Sequence, residues 1–444
     1  MRFHILTFGC QMNVADADWL TQALVSRGWA AVSEGEAQVF VVTTCSVREK
    51  PEQKVYSLLG RLKSHVDRNP DVFVAVGGCV AQQVGEGFWE RFPFVRLVFG
   101  TDGMAMVPQT LERLAIHPDQ RISLLDFLDH YPERELTQDG AVGAQAFVNI
   151  MQGCDNFCAY CIVPYTRGRQ KSRASDAVLT ECGSLVRRGT RELTLLGQNV
   201  NSYGQDRHGD GTSFAALLQR VASIPGLLRL KFTTSHPKDI APEVVEAFGQ
   251  VPNLCPQLHL PVQAGSDAVL KAMGRKYTRA HYLDIVRSLR AACPHIALTT
   301  DIIVGFPGET AQDFEETLSL VKQVRFLSSF SFKYSDRPGV RAEKMGLKVP
   351  EEEKSRRLAI LQDLQNCITA EELARTVGTE AEVLVEGRSK MQDSDVHCWK
   401  GRDEAGRIVN FPAQGDDLTG KMARVRILAA KKHSLLGEIR GDVW

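Results

Sequence analysis

Cys154, Cys158 and Cys161, within the stretch GCDNFCAYCIVPYTRGR, follow the spacing CxxxCxxC. Three thiolates so close together are a soft-metal donor set. A structural zinc takes four ligands, usually as two close pairs, and the nearest histidines in sequence, His130 and His208, are remote. A cubane iron–sulfur cluster contains four irons held by thiolates. Three cysteines therefore hold such a cluster with one iron left open, whereas zinc needs a fourth donor from elsewhere.

A second set of cysteines is dispersed. The apolar stretches RFHILTFG, AQVFVVTT and VFVAVGG are followed at once by Cys10, Cys45 and Cys79, about 35 residues apart, the length of one βαβ unit. Between the second and third, Val55, Leu58, Leu59, Leu62 and Val66 recur at helical spacing. This alternation predicts a doubly wound parallel sheet, in which ligands bind at the C-terminal strand ends. A lone cysteine in such a slot is most simply a small buried hydrophobe. Three in the same slot can converge on one ligand.

The rest of the chain supplies the frame. At 444 residues it is too long for one ordinary core and predicts about three domains. Its 53 basic and 53 acidic residues cancel, so any nucleic-acid surface must be local. The start of the sequence resembles neither a signal nor a transit peptide, and no apolar run is long enough for a spanning helix. A cytoplasmic protein with no membrane association is expected, and the eleven cysteines are poor disulfide material in that compartment.

Residues 1–118 form the expected cysteine-bearing N-terminal domain, and 119–145, without sustained period, a linker. From 146 to 376 strands such as FVNIMQGC, RELTLLGQN, LRLKFTTSH, QLHLPVQAG, ALTTDIIVGF and FLSSFSFKYS alternate with helices. Six β/α units are fewer than the eight of a closed barrel and predict a partial, open (β/α)6 barrel whose first strand delivers the CxxxCxxC loop. After a long helix carrying Leu358, Leu361, Ile368 and Leu373, short alternating strands over 377–444 predict a small antiparallel β-barrel. Alternation places Arg424 and Arg426 on one strand face, with Lys431 and Lys432 close by. This basic patch is either a solvated face or a contact for RNA phosphates.

CxxxCxxC with Tyr160 before its last cysteine resembles the signature of the radical S-adenosylmethionine (SAM) superfamily. The resemblance implies that Cys154, Cys158 and Cys161 are the catalytic set, holding a 4Fe-4S cluster whose open iron chelates SAM. An electron from the cluster then cleaves SAM to a 5′-deoxyadenosyl radical. The phrase LLGQNVNSYG then makes Gly197, Gln198 and Asn199, with Tyr160, candidates for SAM binding. HLPVQAGS and DIIVGFPGET resemble ribose and adenine contacts, although their glycines also suit tight turns.

All three segments in this order resemble the methylthiotransferase family, whose C-terminal unit is a TRAM domain. The resemblance implies a second, auxiliary 4Fe-4S cluster on Cys10, Cys45 and Cys79, and two uses of SAM, as methyl donor and as radical source. TFGCQMN, TTCSVREKPEQKV and GQNVNSYG resemble most the branch that thiomethylates carbon 2 of N6-isopentenyladenosine at tRNA position 37. Other branches act on threonylcarbamoyladenosine in tRNA or on an aspartate of a ribosomal protein. The implied partners are tRNA, a flavodoxin- or ferredoxin-like electron donor and iron–sulfur assembly machinery, with the enzyme a monomer. A metal-stapled RNA-binding protein is the non-enzymatic alternative. Departures from the family pattern fall at Asp336, Val340 and Glu404 to Gly406. Cys182, Cys255, Cys293, Cys367 and Cys398 lack ligand spacing and read as structural, as do His236, His259, Asp301 and Glu309.

Overall fold

The computed structural model describes residues 1–46, 49–69, 72–136, 142–390, 398–413 and 417–444; Val47 and Arg48 of the phrase TTCSVREK lie outside them. The N-terminal sheet is parallel throughout. Its spatial order is Ala30–Ala31, Arg2–Thr7, Val39–Thr44, Phe73–Gly78, Val95–Phe99, Ile122–Leu124. Val39–Thr44 and Phe73–Gly78 are buried at every residue, as continuous apolar runs must be when helices cover both faces. On one face Phe40, Val42, Val74 and Val76 meet Val55, Leu58, Leu59 and Leu62 of the Glu49–Arg68 helix. On the other, Val39, Val41, Phe73 and Ala75 meet Leu20 and Leu24 of the Gln11–Ser26 helix and Leu111 of the Val107–Ile116 helix. The sheet is doubly wound, as the alternation predicts. The order in which strands are added reverses between Arg2–Thr7 and Val39–Thr44, the switch point at which such sheets bind ligands, and Cys10 and Cys45 follow these two strands.

The 119–145 segment is more than a tether. Ile122–Leu124 adds the sixth strand, Tyr131 is buried, and the Arg134 guanidinium donates to Asp16 Oδ1 at 2.7 Å. A three-residue strand is too short to produce a readable period.

In the central domain, Gln145–Asn149, Glu192–Leu196 and Arg229–Thr233 form one parallel sheet, and Gln257–His259, Ala297–Val304 and Ser328–Lys333 a second. A Leu230–Leu254 bridge approaches the seam, and one apolar core of strands and outer helices runs beneath both sheets. The architecture is the open six-unit barrel expected. The fourth strand is shorter than QLHLPVQAG predicts, because Pro261 has no N–H for a ladder and Gln263 takes a positive φ of 73°.

The Glu351–Ala374 helix buries Arg357, Leu361, Gln365, Ile368 and Leu373 along one stripe and leads into a closed five-stranded barrel. The order there is Glu380–Arg388, Cys398–Asp403, Ile408–Pro412, Leu435–Val443, Met422–Ala430, around Val383, Trp399, Phe411 and Val425. Arg229 seats this barrel on the central domain by donating to Arg402 O at 2.9 Å and Glu382 O at 2.6 Å. Among the described residues no helix is long and apolar enough to cross a membrane.

Candidate functional site

The first cysteine loop is held at both ends by backbone. Met151–Gln152 pairs antiparallel with Lys171–Ser172. Gly153 turns the chain at φ 80°, and a Cβ there would fall 2.1 Å from Arg169 O, so only glycine fits. Within the loop Cys161 N donates to Cys158 O at 3.0 Å, and Ala159 N to Met273 O at 2.8 Å. The buried Arg275 guanidinium reaches Cys158 Sγ at 3.6 Å and Pro261 O at 2.8 Å, and its Nε donates to Tyr277 Oη at 3.0 Å. Tyr160, within the loop, stands edge-on to Phe306.

Cys154, Cys158 and Cys161 all keep part of their surface open. Burial first, and neighbouring thiols second, raise the Cys161 thiol to about 12, and burial also raises Cys154. Such thiols become thiolates when a metal supplies positive charge, so the donor chemistry fits a cluster. Among the described residues no three His, Cys, Asp or Glu side chains form a group that could hold one metal ion. A cubane, which offers each thiolate its own iron, calls for wider spacing than a single ion does.

Of the four SAM candidates Tyr160 lies within this loop, and Gly197, Gln198 and Asn199 lie beside it. Gly197 lies so close to Met151 that a Cβ would meet its Cγ at 2.4 Å. Gln198 Oε1 accepts from Gly153 N at 2.6 Å, and its Nε2 contacts Met12 Sδ of the N-terminal domain. Asn199 Nδ2 donates to Asp239 Oδ2 at 2.7 Å, and Asn156 Nδ2 from the cysteine loop reaches the same oxygen at 3.2 Å. Asn199 Oδ1 and His236 Nε2 are buried without a hydrogen-bond partner among the described residues. Polar atoms left unpaired in this way fit a site built for a polar ligand. His236 is held neutral, its pKa lowered to about 2 by burial and by Arg275 and nearby lysines.

Cys10, Cys45 and Cys79 are brought together by their strand ends. A Cβ on Gly9 would lie 2.5 Å from Cys45 Cβ, and one on Gly78 would lie 2.4 Å from Thr44 O. Thr44 Oγ1 accepts from Val80 N at 3.1 Å and Ala81 N at 3.3 Å, tying the Cys79–Val84 helix to the strand that ends before Cys45. Asn13 Nδ2 donates to Phe8 O and Thr44 O, each at 2.9 Å. The Cys10 thiol is lowered to about 5 by a hydrogen bond with Cys45, by Arg167, and by the Asn13 and Met12 amides opening its helix. A thiolate at a helix N-terminus beside an arginine is ready for iron, and this set also fits a cluster.

The two sets belong to domains that pack directly against one another. Met12, Ala15, Leu196 and Phe147 pack at the boundary, the buried Asp102 and Lys171 pair across it, and Gln152 Nε2 donates to Thr101 Oγ1 at 3.0 Å. Asp239, Arg275 and Tyr277 lie outside every motif read from the sequence, and Arg167 falls in the stretch GCDNFCAYCIVPYTRGR without being singled out there. Arg275 and Arg167 show in the sequence only as cations; it is their burial that sets them apart, and burial of a charge cannot be read from composition.

In the C-terminal barrel Arg424 and Arg426 point outward while Val425 and Ile427 point into the core. The neighbouring strand sets Glu382 opposite Arg424 and Glu380 opposite Arg426, with Arg424 Nη2 3.6 Å from Glu382. Lys431 and Lys432 are exposed on the turn beyond. Of the departures, Asp336 accepts from Tyr334 Oη at 2.8 Å, Val340 is buried, and a Cβ on Gly406 would meet Gln257 Oε1. The 404–406 departure therefore faces the central domain.

The chain matches the Radical SAM superfamily over residues 148–321, the Uncharacterized protein family UPF0004 over 2–100 and the TRAM domain over 374–439. Among solved structures it is similar to the radical S-adenosylmethionine methyltransferase TsrM from Kitasatospora setae with cobalamin and a [4Fe-4S] cluster bound. The TM-score is 0.57 and the identity 14%, over 77% of this chain and 74% of that one. It is also similar to the cobalamin-dependent S-adenosylmethionine radical enzyme OxsB, with TM-score 0.52 and identity 12% over 82% of this chain, which spans about half, 56%, of that one. At such identities the likeness is one of fold. Sequence relatives are far nearer. The tRNA-2-methylthio-N(6)-dimethylallyladenosine synthase of Nitratidesulfovibrio vulgaris strain Hildenborough is 61% identical over all of this chain and 99% of its own length. The protein of that name from Oleidesulfovibrio alaskensis is 57% identical over 99% and 98%. With identity of this order running from end to end through all three domains, the chain belongs to the family of tRNA-2-methylthio-N(6)-dimethylallyladenosine synthases.

Proposed function

We propose that this chain transfers a methylthio group to carbon 2 of N6-isopentenyladenosine at tRNA position 37. The observation that carries the reading is the 61% identity over the full chain to a relative named for that modification. The two cysteine triads, each at the C-terminal edge of its own sheet, supply a donor set for each half of the chemistry.

In this reading Cys154, Cys158 and Cys161 hold the radical SAM cluster, and Cys10, Cys45 and Cys79 the auxiliary one. When bound, the clusters and SAM supply the sulfur, the methyl group and the oxidising radical that an unreactive aromatic C–H bond requires. The protein's own contribution is orientation and exclusion of water. Gln198 braces the loop at Gly153 N while touching Met12. Asn199, Asn156 and Asp239 form a polar floor beside the loop, and Met12, Leu196 and Phe147 pack at the boundary between the two domains. His236, buried and neutral, adds no charge next to the loop.

Lys431 and Lys432, with Arg424 and Arg426, bind phosphates of the tRNA. A flavodoxin- or ferredoxin-like donor reduces the clusters, the iron–sulfur machinery installs them, and the enzyme acts in the cytoplasm as a monomer.

The test is mass spectrometry of nucleosides from isopentenylated tRNA after anaerobic incubation with reconstituted protein, SAM and a reductant. A methylthio product with the parent, and none with Cys154→Ala or Cys79→Ala, is expected. SAM cleavage without modification of this tRNA would overturn the substrate assignment and direct the assay to threonylcarbamoylated tRNA and the ribosomal protein.

A further inference from the structure

Arg167 belongs to the central domain, six residues beyond Cys161, yet its side chain lies with the other cysteine set. It is 4% exposed. Its Nη2 donates to Asn13 Oδ1 at 3.3 Å and its Nη1 lies 3.6 Å from Met12 Sδ. The charges that act on it are those of Cys79, Cys10 and Asp16, and Cys79 is within hydrogen-bond reach. Asp16 is already engaged by Arg134 at 2.7 Å and Asn149 at 3.0 Å. Among the described residues no carboxylate makes an ion pair with Arg167. A guanidinium buried without a carboxylate is costly to keep, and the groups placed to offset that cost are the thiols of Cys10 and Cys79.

We propose that Arg167 is a positioning residue for the auxiliary cluster, a cation lent across the domain boundary that offsets the cluster's negative charge and donates N–H bonds to its cysteine sulfurs. The inference rests on the two-cluster proposal. A cubane with three cysteinate ligands is anionic, and more so when reduced. The potential of an iron–sulfur centre follows its net charge, the hydrogen bonds to its sulfurs and its burial, so a buried guanidinium favours the reduced form. Asn13 orients it: the same side chain accepts from Arg167 through Oδ1 and ties Phe8 O and Thr44 O through Nδ2. Because Arg167 follows the CxxxCxxC loop directly, the loop of one site and the charge balance of the other are set by one continuous stretch of chain.

The test uses the full chain with Cys154, Cys158 and Cys161 all changed to Ala, reconstituted so that iron can occupy only the other set. Iron content and the midpoint potential by redox-monitored EPR are compared for this parent and for versions carrying Arg167→Gln or Arg167→Lys. Expected is a shift of the potential to more negative values in Arg167→Gln, with most of the shift restored in Arg167→Lys. Loss of iron from Arg167→Gln alone, with Arg167→Lys still loaded, supports the same role. An unchanged potential in an iron-loaded Arg167→Gln, or equal loss of iron from both variants, overturns it, since packing rather than charge would then be decisive. A parent without iron would instead overturn the two-cluster proposal, and this inference with it.

Discussion

Asn199, at the end of a central-barrel strand, donates to Asp239 Oδ2 at 2.7 Å, and this single oxygen also receives Asn156 from the cysteine loop at 3.2 Å. One carboxylate therefore ties a strand end to the loop that carries Cys154, Cys158 and Cys161. Asp239→Ala leaves both amides unpaired, and a hydrogen bond to a charged group contributes about 1.5–3 kcal/mol. Equilibrium binding of SAM should weaken roughly 10- to 100-fold, with iron content unchanged. Full SAM affinity in this variant would remove Asp239 from the site.

The Asp102–Lys171 pair joins the N-terminal and central domains with side chains 1% and 3% exposed. Lys171 also donates to Leu128 O at 3.0 Å. Breaking a buried pair by removing one partner costs about 3–5 kcal/mol, because the other charge is stranded. Lys171→Met should lower stability in urea by that amount, and adding Asp102→Asn should recover part of it. A decrease below about 1 kcal/mol, the scale of an exposed pair, would show that the boundary admits water.

His236 carries a pH signature. Its folded pKa is lowered to about 2 by burial and neighbouring cations, while an unfolded chain titrates near 6.5. Below that value the unfolded state binds a proton that the folded state refuses. The stability is thus complete above pH 6.5 and falls as pH drops, by about 1.4 kcal/mol per unit once the unfolded imidazole is charged. His236→Asn, which keeps an acceptor for Lys238 N, should flatten the stability profile between pH 6 and 4 relative to the parent. Parallel profiles would mean that His236 is protonated in the fold.

Among the basic residues of the C-terminal barrel the effects should be unequal. Lys431 and Lys432 stand on an exposed turn, whereas Arg424 and Arg426 share their face with Glu382 and Glu380. Each phosphate that a cation neutralises steepens the dependence of log affinity on log salt by about 0.9 in duplex nucleic acid. Lys431→Ala with Lys432→Ala should reduce the slope for tRNA by nearly two. Arg424→Ala should reduce it by clearly less than one, because Glu382 already offsets its charge. The reverse order would place the RNA on the arginine face.

Legibility differs between sheet and site for a physical reason. Strands buried on both faces are continuous apolar runs, so Val39–Thr44 and Phe73–Gly78 stand out in the sequence, and the cysteines that close them converge because parallel strands share an edge. Short or irregular pairing leaves no period, which hides Ile122–Leu124. Pro261, in contrast, is a visible signal that the fourth strand stops early. The partners of Arg167, Arg275 and Asp239 come from segments far apart in the chain, and no local pattern announces such meetings. The glutamates beside Arg424 and Arg426 are concealed likewise: they lie on a neighbouring strand some forty residues away, so the linear sequence shows a basic run where the folded surface has mixed charge.

Arg229 grips the C-terminal barrel through two main-chain oxygens, Arg402 O and Glu382 O. A backbone carbonyl is the same whatever side chain it carries. Neither contact depends on which side chains positions 382 and 402 carry, so outward residues of the barrel can change while these two hydrogen bonds stay as they are. The outer surface of this barrel is thereby uncoupled from its mount: one can be rewritten without disturbing the other.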